Sequence, residues 1–352
     1  MTIGLRSIGR FAARGFLFGL FLLLVACSRP QIFQQEAYVF GTRVDLTVYG
    51  TSRELATEAM AEVLREFDRL HNAYHAWKPS DLTALNDAIA RGESVEVSDE
   101  LASLLRGASE IAATGEGLFD PALGKLIALW GFHDDEFEPR RPDAEAIQDL
   151  LEAHPRMADV DIDGNRVSSR NRAVQIDLGG YAKGYALDRA AAILKAKGIH
   201  DALINIGGNV MALGSKGKTP WRLAIQHPRE PRPLATLPLY DGEAIGTSGD
   251  YQRYFELDGE RYTHLLDPRT GQPAKGTQSF TVLVTPRPLA GIWSDAASKA
   301  PFIAGDDWLE YARRYQIDHA LRVAQDGRIE VTKALRARLQ IPSGVGPFTV
   351  VD

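Results

Sequence analysis

The stretch RAVQIDLGGYAKGYALDRAAAILKAKG, Arg172 to Gly198, constrains this chain more than any other. It reads as a strand, a Gly-Gly turn and a long helix closed by a glycine, with Lys183 at the helix start. DALINIGGNVMALG, Asp201 to Gly214, is a buried strand pattern broken by a second Gly-Gly. WRLAIQHP and the segments near Ala244, Arg261 and Phe280 read as further strands. Short turns join many of these, which predicts an α+β fold, an antiparallel or mixed sheet with helices packed on it, rather than a doubly wound parallel sheet. Upstream, YVFGTRVDLTVYG, Tyr38 to Gly50, reads as a strand interrupted near Gly41, where a bulge or a close approach is expected. Helical spacing runs from Ser52 to His71, from Ser98 to Thr114 and from Pro121 to Leu129, with Ser52 and either Ser98 or Asp99 as caps. The charged, proline-bearing run from Asp134 to Pro142 reads as an exposed loop.

The N-terminus is separate from this pattern. Arg6, Arg10 and Arg14 precede an apolar run, Phe16 to Ala26, that is short for a membrane span and fits a secretory leader, residues 1–26. LVAC, Leu24 to Cys27, holds the one cysteine of the chain and resembles a bacterial lipobox. That resemblance implies cleavage before Cys27, lipidation of its thiol and anchoring to a bacterial membrane on the periplasmic side. Ser28 in the next position resembles the pattern sent to the outer membrane. Residues 28–36 read as a polar tether, leaving 37–352 as a single intertwined domain. With 352 residues, 45% hydrophobic and 24% charged, the chain has ample material for such a core. Its net charge of -6 gives no basic face for nucleic acid.

Several pieces could carry chemistry. In DLGGYAKG, Asp177 to Gly184, the glycine turn can bring backbone N–H groups close to a phosphate at a helix N-terminus; a tight turn alone explains it equally well. His264, in THLLDPRTGQP, could serve as a general base near neutral pH or could be structural. Zinc-ligand spacing is missing, although His71 and His75 stand four apart. Trp77, ahead of a Ser80-Asp81 cap, could stack on a planar cofactor, and Phe119, Trp130 and Phe132 read mainly as core. Asp295 and Lys299 in SDAASK have the spacing of a helix-surface ion pair.

The order of these pieces says more than any one of them. FGT (40–42), PSDLTALN (79–86), FDP (119–121), LWGF (129–132), DLGGYAKGYALD (177–188), NIGGN (205–209), TSGDYQRYF (247–255), HLLDPRTG (264–271) and SDAASK (294–299) together resemble the FAD:protein FMN transferase (ApbE) family. The resemblance implies a T-fold-related architecture, FAD as substrate, magnesium, and transfer of FMN through a phosphoester to a Thr or Ser of an exported protein, with AMP released. Some relatives hydrolyse FAD to FMN and AMP instead, and an FAD-binding lipoprotein without transfer is a further reading. By motif, His264 would activate the acceptor hydroxyl, while Gly179, Gly180 and Lys183 would lie along the pyrophosphate. Phe40 stands where the family often has Met against the flavin, and Trp77 near the usual Tyr. Gly41, Thr42, Ser80, Phe119, Asp120, Asp177, Tyr185, Gly207, Gly208, Asn209 and Ser248 complete the implied FAD contacts. The Ala182 carbonyl and the Asp295 carboxylate are the implied metal ligands, but Lys299 replaces the usual third ligand, a Thr, and an ammonium cannot ligate a cation.

Overall fold

The computed structural model describes residues 31–134 and 138–352. The leader, Cys27 and Ser28 lie outside the described residues. Among these residues nine strands form one sheet in chain order: β1 (Ile32–Val39), β2 (Thr42–Tyr49), β3 (Ala202–Ile206), β4 (Asn209–Leu213), β5 (Ala244–Gly249), β6 (Thr277–Val284), β7 (His319–Ala324), β8 (Ile329–Thr332) and β9 (Phe348–Val351). Neighbours run antiparallel, except that β9 lies parallel to β8. Short turns permit this arrangement, since antiparallel neighbours need no crossover helix.

The sequence misplaces the entry into the sheet. Residues 32–36, expected as tether, belong to β1, and Gly41 is not a mid-strand irregularity but half of the turn joining β1 to β2. Phe40 (φ 57) and Gly41 (φ 66) both have positive φ, as a two-residue hairpin turn of the primed type demands. Gly207 (φ 58) and Gly208 (φ 92) make the same kind of turn between β3 and β4.

The helices are α1 (Arg53–Ala73), α2 (Asp81–Arg91), α3 (Asp99–Thr114), α4 (Gly124–Leu129), α5 (Ala144–Ala153), α6 (Ala182–Ala196), α7 (Ala290–Ala296) and α8 (Lys299–Ala304), followed by Trp308–Arg314 and Lys333–Arg336. Ser52, Ser80 and Ser98 cap α1, α2 and α3 by accepting the N–H of Leu55, Thr83 and Leu101, satisfying donors that a helix start leaves open. One sheet face buries Val44, Leu46 and Val48 of β2 against Met60, Val63 and Phe67 of α1 and Leu187 of α6. The other face buries Ile245, Leu283 and Leu321 under Ile225, Leu234 and Leu237 of a separate hairpin, 221–239. β6, covered on both sides, has all 8 of its residues buried.

Two further expectations change. The predicted helix from Pro121 starts only at Gly124, because Asp120 accepts the Ala122 N–H and Leu123 bridges to Gln175. The predicted strand before Gly179 is extended chain held on two sides: Gln175 and Asp177 bond the backbone of 121–124, and Asn86 of α2 donates to the Ile176 carbonyl at 2.9 Å and accepts its N–H at 2.7 Å. The Asn86 amide thus pairs both backbone groups of Ile176.

Candidate active site

An elongated cleft of about 1270 Å³ opens where the β1–β2 turn, the β3–β4 turn and the N-terminus of α6 meet. Phe40, Gly41 and Thr42 line it from the first turn and Gly207 from the second. Thr42 packs so tightly on Gly207 that a Cβ there would lie 2.5 Å from the threonine hydroxyl. Trp77 and His133 lean on each other in the wall, with ring centres 5.4 Å apart. Phe40 rests against Phe67 and His71, each at 5.8 Å. Its positive φ is costly for a bulky side chain, so the surrounding packing must hold it.

Asp177, Gly179, Gly180, Ala182, Lys183 and His264 border the cleft from its far side. A smaller cavity of about 120 Å³ continues inward, shared by Asp177, Gly179, Gly180, Lys183 and His264 and closed by Phe119, Asp120, Ser248, Asp295 and Lys299. Asp177 accepts the Gly179 N–H at 2.6 Å, fixing the turn before α6. Asp120 accepts the N–H groups of Ala122 and Met157, and burial pushes its carboxyl up to about 6. Of the three aromatic residues read mainly as core, Trp130 and Phe132 are packed in a separate apolar cluster, whereas Phe119 faces the inner cavity.

His264 is tied through Nδ1 to the Arg253 carbonyl at 3.0 Å. A carbonyl only accepts, so Nδ1 carries the proton and Nε2 keeps its lone pair. Burial, with Arg253 and Lys183 adding to it, pushes the imidazole down to about 3, so the ring is neutral at pH 7.

Asp295 reaches the first turn of α6, where its Oδ2 accepts the Gly184 N–H at 3.0 Å. It can do so because α6 and α7 cross at two glycines: a Cβ on Gly184 would sit 2.5 Å from the Gly291 carbonyl oxygen. Asp188 fastens the same crossing by accepting the N–H groups of Gly291 and Ile292, both at 2.9 Å. The other oxygen, Oδ1, receives the Lys299 ammonium at 2.7 Å, and Nζ also donates to the Asp295 carbonyl at 2.7 Å. Burial works against the Asp295 charge, but Lys299 and Lys183 outweigh it and hold the carboxyl below its ordinary range. Ser298 donates to the same carbonyl and exchanges a 2.7 Å hydrogen bond with Ser248.

These contacts do not fit a divalent cation on Asp295. A cation on that carboxylate would stand roughly 4 Å from the ammonium, and at an effective dielectric near 20 the repulsion is about 8 kcal/mol. Among the described residues no group of three or more His, Cys, Asp or Glu side chains is placed to hold a metal. Of the two expected ligands, Asp295 is paired with Lys299 and Ala182 borders the cleft.

Four expected residues stand apart from the lining. Ser80 caps α2 and donates to the His75 carbonyl, shaping the loop that carries Trp77. Tyr185 donates to Glu100 at 2.7 Å, beside Arg69 and Tyr74 on the same carboxylate. Gly208 completes its turn behind Gly207, with its N–H on Asn205. Asn209 is 2% exposed in β4, and its Nδ2 has no partner among the described residues. Sequence reasoning also passed over Gln252 and Arg253, which line the cleft from within the quoted TSGDYQRYF motif. His71 and His75 line it as well, with ring centres 5.1 Å apart.

A helix-backed, mostly antiparallel sheet thus gathers its turns on a cleft that pairs an aromatic wall with a helix N-terminus and a neutral histidine. The chain belongs to the ApbE family, whose model matches residues 40–321. An FAD:protein FMN transferase of Rhodobacter capsulatus is 44% identical over 319 residues, which are 90% of this chain and 60% of that protein, so the chain spans less than two thirds of that relative. An FAD:protein FMN transferase of Vibrio cholerae is 31% identical over 277 residues, 74% of this chain and 80% of that protein. The crystal structure of an ApbE protein from Thermotoga maritima superposes with a TM-score of 0.80 at 34% identity, covering 88% of this chain and 99% of that one.

Proposed function

We propose that this chain binds FAD along the cleft, cleaves its pyrophosphate and transfers FMN to a Thr or Ser hydroxyl of a protein acceptor, releasing AMP. The observation that carries the reading is His264: a neutral imidazole with its lone pair on Nε2, bordering both the cleft and its inner cavity next to Lys183. In the reaction the acceptor oxygen attacks the phosphorus on the riboflavin side. The bond from that phosphorus to the bridging oxygen breaks, AMP leaves with the bridging oxygen, and the hydroxyl proton passes to Nε2. The N-terminus of α6 and Lys183 favour the phosphate charge, and the wall of Phe40 and Trp77 offers faces for the flavin ring. No step is assigned to a metal at Asp295.

The same reading places the protein outside the cytoplasm. Cys27 would be lipidated after removal of residues 1–26 and would anchor it to a membrane facing the periplasm, where an exported acceptor is met.

The test incubates the protein with FAD and a threonine-bearing acceptor domain, reading the FMN adduct by mass and AMP by chromatography. Adduct and AMP in equal amounts are expected, and His264→Ala should lower the rate by about 100-fold or more. AMP and FMN without adduct would make the chain a pyrophosphatase; undiminished transfer by the alanine variant would remove His264 from the chemistry.

A further inference from the structure

Lys299 is 7% exposed, a burial that charged side chains accept only with partners. Its Nζ has three N–H groups, and among the described residues two are used, on Oδ1 and the carbonyl of Asp295. The side chain is held in place from the flanks. A Cβ on Gly180 would lie 2.8 Å from Lys299 Cε, and Nζ stands 5.9 Å from the centre of the Phe119 ring. Glycine at 180 is thus what lets the ammonium reach the inner cavity, beside the turn that leads into α6.

Two ammoniums, of Lys299 and Lys183, line the cavity together with the carboxyls of Asp295, Asp120 and Asp177. Asp295 balances one ammonium, and Lys183 adds a second. The other two carboxyls on the wall turn to backbone: Asp120 to Ala122 and Met157, Asp177 to Gly179.

We propose that the Lys299 ammonium takes the place of a divalent cation at the inner end of the cleft, giving its third N–H to a pyrophosphate oxygen of the substrate, with Asp295 as its counter-charge. This rests on the FAD reading above. An ammonium 2.7 Å from a carboxylate is held as a fixed charge that needs no assembly from solution. It neutralises less charge than magnesium, and Lys183 and the α6 N-terminus make up part of the difference.

Binding of FAD, ADP and riboflavin is measured by fluorescence and calorimetry in EDTA and then with magnesium. The wild type is expected to bind FAD and ADP in EDTA, with affinity changed less than about threefold by magnesium. Lys299→Met should weaken FAD and ADP by about 10- to 100-fold and leave riboflavin, which has no phosphate, unchanged. Lys299→Thr, which restores a hydroxyl oxygen beside Asp295, should recover ADP affinity only when magnesium is added. Tightening of the wild type by tenfold or more on adding magnesium would overturn the proposal, as would unchanged ADP binding by Lys299→Met. If the methionine variant does not fold, the wild-type magnesium titration decides. A wild type that binds riboflavin and ADP but not FAD would instead sink the substrate reading, and the proposal with it.

Discussion

His264 illustrates how one side chain is tuned by its surroundings. Burial and two neighbouring cations disfavour the imidazolium, so the free protein holds the ring neutral down to about pH 3. A pyrophosphate bound as proposed would bring negative charge next to the ring and raise its pKa. The acid limb of kcat/KM, which reports the free protein, should therefore lie well below pH 6.5, and that of kcat should lie at higher pH. A His264-dependent limb near 6.5 in kcat/KM would contradict this electrostatic account. The identity of His264 was readable in HLLDPRTG, but its tautomer was not, because the Arg253 carbonyl that sets it is brought close only by the hairpin 254–263. Lys299 was equally visible, while its burial against Gly180 and Phe119 needed three distant segments to meet.

Among the elements, α6 and α7 do most to position the site. Their crossing at Gly184 and Gly291 sets Asp295 at the start of α6, and Asp188 locks the register through two backbone N–H groups. Gly184→Ala would force a methyl group to within 2.5 Å of a backbone oxygen. It should cost about 1–3 kcal/mol in denaturant unfolding and weaken FAD binding as Asp295 shifts. A stability within about 0.5 kcal/mol of wild type would mean that the helices can slide apart without penalty. Helix caps at Ser52, Ser80 and Ser98 were legible because capping is local chemistry. The pairing of the strand expected before Gly179 was not, since its backbone bonds go to the distant 121–124 segment and to Asn86, a side chain from another helix.

At the scale of the molecule, one continuous sheet gathers turns from far apart in the chain onto one cleft. Hydrogen exchange should show this directly. Amides of β6, buried along its length, should exchange slowest with or without ligand. Added FAD should slow exchange in three separate stretches, around 40–42, 177–183 and 207–209. Protection confined to one stretch would mean that the cleft does not act as a single site. The sequence alone determined the α+β class, most helix starts, the family and many of the residues around the cleft, because periodicity, capping and ordered motifs are properties of the chain itself. The tertiary structure decided which of them meet. It put β1 into the sheet, moved Ser80 and Tyr185 into supporting contacts, and turned a spacing of four between Asp295 and Lys299 into a buried ion pair facing the cavity. Burial and charge neutralisation depend on what packs around a residue, and spacing along the chain does not record it.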